Sequence, residues 1–110
     1  MICKWALAYH RAVGAELYKA LDDATRRAIL DEVAERDGQT LLEICGRLAM
    51  KHGLNSTRQA ISQHLAVLEG AGLITTRREG RYKYHHLDTS PLAAIQRRWP
   101  IPNANRSNDQ

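Results

Sequence analysis

The chain has 110 residues, with 16 Lys and Arg against 12 Asp and Glu and a formal net charge of +4. That length admits one domain with one modest core, and no apolar run approaches the roughly 20 residues of a membrane span. Cys3 and Cys45 are too few for a disulfide framework, and the start, Met1-Ile-Cys-Lys-Trp-Ala-Leu-Ala-Tyr-His-Arg11, is too short and interrupted for a signal peptide; a cytoplasmic location is expected.

Trp5, Tyr9, Val13, Leu17 and Leu21 recur every fourth residue, which lays them along one slowly drifting helical stripe. Gly14 weakens that helix locally. Asp22 or Asp23 can cap a second helix through Ala24-Thr-Arg-Arg-Ala-Ile-Leu-Asp-Glu-Val-Ala-Glu-Arg36, with Ala28, Ile29, Leu30 and Val33 inward and Gly38 as its end. Thr40-Leu-Leu-Glu43 is a capping box, in which hydroxyl and carboxylate satisfy orphan amides reciprocally. The third helix that follows carries Leu41, Ile44, Cys45, Leu48 and Ala49 on one face and stops near His52-Gly53. Ser56-Thr-Arg-Gln59 reads as a second box opening a fourth helix, whose core face is Ile61, Leu65 and Leu68 and which ends at Gly70 and Gly72.

After Gly72 the period shortens from 3.6 to 2. Two β-prone runs between Leu73 and Leu87 are joined at Glu79-Gly80, a hairpin signal. Its tip is ringed by Arg77, Arg78, Arg81 and Lys83. Ser90-Pro91 begins a short last helix with Pro at its first turn and an apolar stripe of Leu92, Ile95 and Trp99. From Pro100 to Gln110 the composition is Pro, Asn, Ser and charge, read as a flexible tail. The fold expected is mainly α (an α+β winged helix): four helices, a β-hairpin wing and a short C-terminal helix. One domain spans 1–99, with a helix-turn-helix over 40–72 and the wing over 73–87. The turn Met50-Lys-His-Gly-Leu-Asn-Ser56 is longer than usual for such a pair.

Charge divides along the chain. Between Ile44 and Leu87 stand Arg47, Lys51, Arg58, Arg77, Arg78, Arg81 and Lys83 against only Glu69 and Glu79, while most other acids lie between Asp22 and Glu43. A basic half of this kind suits a polyanion-facing side. The outward face of the fourth helix is different: Arg58, Gln59, Ser62, Gln63, Ala66 and Gly70 are nearly neutral, small and rich in hydrogen-bonding groups. A helix seated in a major groove about 12 Å wide needs such a face, because small residues permit approach while Gln, Ser and Arg meet base edges. The capped N-terminus aims amides at phosphate. A lone helix with this face would suit burial against another protein; the basic hairpin behind it turns the reading to double-stranded DNA. His64 falls at the edge of the core side and reads as a packing and hydrogen-bonding residue. The wing cations read as phosphate or minor-groove contacts.

These segments resemble a family. Leu17-Tyr-Lys-Ala-Leu-Asp-Asp-Ala-Thr-Arg-Arg-Ala-Ile-Leu30 is similar to the second-helix signature of ArsR/SmtB transcriptional regulators. Ala60-Ile-Ser-Gln-His-Leu-Ala-Val-Leu-Glu-Gly-Ala-Gly-Leu-Ile74 resembles their recognition helix, and Arg77-Arg-Glu-Gly-Arg-Tyr-Lys-Tyr-His-His-Leu87 their wing. The resemblance implies a prokaryotic homodimeric repressor on an inverted-repeat operator, released by an effector whose identity the sequence does not give. It implies dimerisation through the first and last helices, here 1–21 and 90–99. The apolar stripes Trp5, Tyr9, Val13 and Leu92, Ile95, Trp99 agree, being excessive for one small monomer's surface. By position, Ser56, Thr57, Arg58, Gln59, Ser62 and Gln63 form the DNA-reading set, with Arg77, Arg78, Arg81 and Lys83 on the wing.

The family's metal sensing does not carry over. Ile44-Cys45-Gly46 has one thiol where a Cys-x-Cys pair would stand, and Leu92-Ala-Ala-Ile-Gln-Arg-Arg-Trp99 holds no ligand. His85 and His86, adjacent on a strand, point to opposite faces. No metal and no cofactor are expected. Cys45, on an apolar face, reads as an inert buried thiol, with a metal- or thiol-responsive repressor acting through it as the alternative. A winged-helix protein-interaction module is the other alternative. Without a Gly-rich phosphate loop, paired carboxylates or a nucleophile–base pair, an enzyme is not expected.

Overall fold

The computed structural model describes residues 16–102. Within them the order is α1 (helical over 16–21), α2 (Ala24–Glu35), α3 (Leu41–His52), α4 (Arg58–Gly70), β1 (Ile74–Glu79), β2 (Tyr82–Leu87), a 3-10 turn (Ser90–Leu92) and α5 (Ala93–Arg98). Trp5, Tyr9 and Val13 lie outside the described residues, as does the tail from 103 onward.

The core forms where the apolar periodicities meet. Leu17 and Ala20 of α1, Ala28, Ile29 and Val33 of α2, Ile44 and Leu48 of α3, and Ile61, Leu65 and Leu68 of α4 are all buried, with Leu73 and Ile74 closing the cluster from the hairpin side. Leu21, Leu30, Leu41, Cys45 and Ile95 pack at its margin. Burying a Leu or Ile side chain contributes about 1.5–3 kcal/mol, so these positions fix the helix arrangement.

Polar groups set the element ends. Asp23 caps α2, its carboxylate accepting from the Arg26 amide at 3.0 Å. Arg26 in turn donates to the carbonyls of Ala20 and Lys19 at 3.0 and 2.9 Å, satisfying the exposed end of α1. Its remaining arm donates to His64 Nδ1 at 3.2 Å, so His64 serves packing and hydrogen bonding, as its position suggests. The capping box on α3 is present in both directions. Gly53 closes α3 in the left-handed region at φ 65, and the Leu54 amide reaches back to the Leu48 carbonyl at 3.1 Å, a Schellman-like stop.

Three boundaries differ from the sequence expectation. Helix α2 ends at Glu35, before Gly38. The side-chain amide of Gln39 donates to the carbonyls of Glu32 and Arg36 at 2.8 and 2.7 Å, terminating the helix from outside it, while Gly38, φ 77, turns the chain towards β2. Helix α4 is capped by Thr57, whose hydroxyl accepts from the Ala60 amide at 3.1 Å, not by Ser56. That shift of one residue puts Ala60 where the second box needed Gln59, and no reciprocal box forms. The hairpin loop is Gly80-Arg81, since Glu79 still pairs with Tyr82; Gly80 takes φ 60, a value that costs a side-chain-bearing residue more than glycine. The last helix opens as a 3-10 turn, with Pro91 in its first turn as expected.

The hairpin is antiparallel, Ile74 facing Leu87 and Arg78 facing Lys83. It is not left free. His85 and Gln39 form an antiparallel bridge that stitches β2 to the segment before α3, and Asp37 accepts from the Leu87 amide at 2.8 Å and from His86 Nδ1 at 2.7 Å. His85 is therefore buried on one face of β2 while His86 lies on the other.

Candidate nucleic-acid interface

Helix α4 turns one face inward and leaves the other bare. Arg58, Gln59, Ser62, Gln63, Ala66 and Gly70 are all exposed, as are Ser56 and Thr57 just before the helix. The two ends of that face have different neighbours. Ala66 and Gly70 line a recess shared with Glu16 and Lys19 of α1, and a Cβ on Gly70 would come within 3.2 Å of the Glu16 carboxylate. Arg58 and Ser62 instead border a cleft of about 430 Å³ between α4 and the wing, which also receives Thr40, Leu42, Glu69, Arg81, Tyr82 and Lys83. The wing side of the cleft carries Arg81 and Lys83, and its helix side carries the opposed charges of Arg58 and Glu69 with Ser62 between them.

The wing places its cations outward. Arg77, Arg78, Arg81 and Lys83 are exposed. Two of them have partners: Arg77 lies 3.8 Å from Glu79, and Lys83 lies 3.8 Å from Glu69 across the cleft. Tyr82 at the tip is 60% exposed, a large aromatic that the sequence reading left unassigned. Burial along β2 does not alternate at this end, where Tyr82 and Lys83 are both exposed next to the hairpin loop; the adjoining Glu79-Gly80 turn signal was the one cue to its position.

The basic half of the sequence is divided in space. Arg47 and Lys51 do not join the wing. Glu32, only 3% exposed, accepts from Arg47 Nε at 2.7 Å and from His52 Nε2 at 2.8 Å, with Lys51 Nζ at 3.6 Å. Glu35 accepts from Arg47 at 2.8 Å and also pairs with Lys51. Burial pushes the Glu32 carboxyl up, but the hydrogen bonds from His52 and Arg47 and the charge of Lys51 outweigh it and hold the group below its ordinary range. Arg47 and Lys51 thus clamp α2 to α3 and are subtracted from the polyanion-facing set. Helical spacing puts Glu32 on the face of Ala28, Ile29 and Val33; it escaped the sequence reading because a carboxylate is ordinarily assigned to the surface whatever its spacing.

Cys45 sits half-buried on α3. Burial pushes its thiol up, and the nearby Arg58 guanidinium only partly offsets this, so the thiolate needed for metal binding or exchange is disfavoured. Among the described residues, no three His, Cys, Asp or Glu side chains converge as a metal ion would require. Leu92 and Trp99 of the last helical segment are exposed, 37% and 58%, while Ile95 is partly buried against the core. Trp99 stacks obliquely near Tyr18, ring centroids 6.3 Å apart, and Arg98 lies 4.5 Å over the Trp99 ring. No helix among the described residues is long and apolar enough to cross a membrane.

Known proteins share this arrangement. A family model described as a helix-turn-helix domain matches residues 21–77. The HTH-type transcriptional regulator YuzN of Bacillus subtilis (strain 168) is 48% identical over 83 residues, covering 76% of this chain and 90% of that protein. The transcriptional repressor SdpR of the same organism is 36% identical over 76 residues, 69% of this chain and 77% of its own length. An ArsR-like transcriptional regulator from Rhodococcus sp. RHA1 superimposes with a TM-score of 0.71 at 27% identity, covering 93% of this chain and 87% of that one.

Proposed function

The chain belongs to the ArsR-type winged helix-turn-helix transcriptional regulators, and from that premise we propose that it is a repressor that binds an inverted-repeat operator as a homodimer. The observation that carries the reading is the pairing of a bare, nearly neutral α4 face with exposed cations on the adjoining hairpin. Thr57, Arg58, Gln59, Ser62 and Gln63 read base edges, with Ser56 beside them at the helix entry. Arg78 and Arg81, joined by Arg77 and Lys83, grip the backbone. Phosphate contacts position the protein and base contacts specify the site. The repressor role is supported by similarity to SdpR, a transcriptional repressor.

Dimerisation draws on the exposed Trp99 and Leu92 with Ile95 behind them. Exposed Tyr18, its ring centroid 6.3 Å from that of Trp99, extends the apolar patch. The early residues Trp5, Tyr9 and Val13 complete the proposed interface. Regulation by a metal ion is not part of this reading: burial pushes the Cys45 thiol up, and among the described residues no set of ligands converges on it.

Selection of bound duplexes from a random-sequence library tests the whole reading. It should return a pseudo-palindrome with half-sites about one helical turn apart, bound by a species that sediments as a dimer. Affinity should fall steeply with added salt and should not change with Zn²⁺. Absence of any retardation at low salt would overturn it in favour of a protein-interaction module. Zn²⁺-dependent binding that Cys45→Ser abolishes would replace the metal-independent version.

A further inference from the structure

Among the residues that border the cleft between α4 and the wing, Glu69 is the one carboxylate. It stands on the last turn of the recognition helix with its side chain 32% exposed, in a site whose lining also includes the cations Arg58, Arg81 and Lys83. A carboxylate here is unfavourable for binding a polyanion, so its presence asks for a role. Its partners supply one. The two carboxylate oxygens are divided between residues of the hairpin: Oε2 lies 3.8 Å from Lys83 Nζ, and Oε1 accepts from the Thr76 hydroxyl at 3.5 Å. Thr76 is on β1 and Lys83 on β2, so one side chain of α4 holds both strands of the wing.

We infer that Glu69 is a positioning residue for DNA recognition: it couples the wing to the recognition helix and weakens the grip of Lys83 on the phosphate backbone. The inference rests on the DNA-binding reading above and deepens it. Sequence-independent adhesion is driven by cations displacing counterions from phosphate, with a slope of about 0.9 in log affinity against log salt for each phosphate neutralised. A Lys83 that must first leave Glu69 adds less to that adhesion than a free one. Each exposed pair of this kind is worth about a two- to five-fold factor. The same link sets the distance between wing tip and α4 before DNA arrives, which favours the one register in which both elements fit.

Glu69→Gln keeps the shape and the Thr76 contact but removes the charge. Binding is measured by fluorescence anisotropy across a salt series, on a duplex selected from a random library and on an unselected duplex of equal length. For each protomer engaged, the variant should bind the unselected duplex about two- to five-fold more tightly, with a salt slope steeper by up to about 0.9. The ratio of selected to unselected affinity should fall. In a Lys83→Ala background the same Glu69→Gln change should have no effect on slope. An unchanged slope, a gain that persists without Lys83, or an equal loss on both duplexes with a lowered melting temperature would each overturn the inference. If the unaltered protein binds neither duplex, it is the DNA-binding reading itself that fails.

Discussion

His85 and Gln39 are joined by three hydrogen bonds: the His85 amide donates to the Gln39 carbonyl at 2.8 Å, its ring Nδ1 donates to the same oxygen at 2.9 Å, and the Gln39 amide returns one at 3.2 Å. The pair ties the wing to the chain where α3 begins. Gln39 also ends α2 through its side-chain amide. Gln39→Ala should therefore cost about 2–4 kcal/mol, since two carbonyls lose their donor and a buried volume opens. Gln39→Glu, nearly isosteric, should be at least as damaging, because a carboxylate offers no donor to two carbonyls. Urea unfolding midpoints of the two variants check this; a Glu variant close to the unaltered protein would refute it.

Acid should unfold the protein through its helix clamp. Glu32 is held below its ordinary range against the opposing effect of burial, chiefly by His52 and Arg47. Asp37 is lowered by His86 and the Leu87 amide, and Glu43 by the Thr40 amide. In each case the unfolded chain takes up a proton at a higher pH than the folded one. Stability from these groups is then full above their ordinary pKa values, about 4, and drains away as pH falls further. Glu32→Gln should flatten this acid limb and cost about 1–3 kcal/mol at neutral pH. The cost is less than for a wholly buried pair, because Arg47 and Lys51 keep contact with water. Chemical denaturation between pH 3 and 7 reads both effects.

The cap of α4 can be assigned by substitution. Thr57→Ala should lose about 1 kcal/mol, and Ser56→Ala no more than a few tenths. Equal losses, measured by thermal unfolding, would return the cap to the frame expected from sequence.

Base reading and backbone gripping should separate in the binding curves. Arg58→Ala should lose about 1–3 kcal/mol on a selected duplex and relax preference at one position. Arg81→Ala, at the hairpin loop, should weaken every duplex about equally and reduce the salt slope by about 0.9 per protomer. Uniform losses from both variants would refute the division.

The helices and the hairpin were legible because their signals are local. Ile61, Leu65 and Leu68 recur at helical spacing, and all three are buried. The bare face of α4 followed from the same count. What escaped depends on residues distant in sequence. Gln39 and Glu32 are polar, and residue type alone assigns them to the surface although Glu32 shares the helical face of Ala28 and Ile29; they are buried with His85 and Arg47 reaching them from other elements. The cap frame at Thr57 and the loop at Gly80-Arg81 each moved by one residue, since Ser and Thr, or Glu-Gly and Gly-Arg, satisfy the same local rule and packing chooses between them. Pairing of Lys83 with Glu69 is likewise invisible until strand and helix are side by side.

The clamp of Glu32 and Glu35 on Arg47 and Lys51 reaches beyond stability. By cancelling cations on the flank, it leaves Arg58, Arg77, Arg78, Arg81 and Lys83 against Glu69 and Glu79 as a local excess of positive charge on the hairpin and the start of α4. Among the described residues this excess is lopsided. In the field of a duplex a body charged in this way experiences a torque as well as an attraction, which would turn the proposed reading edge forward before contact.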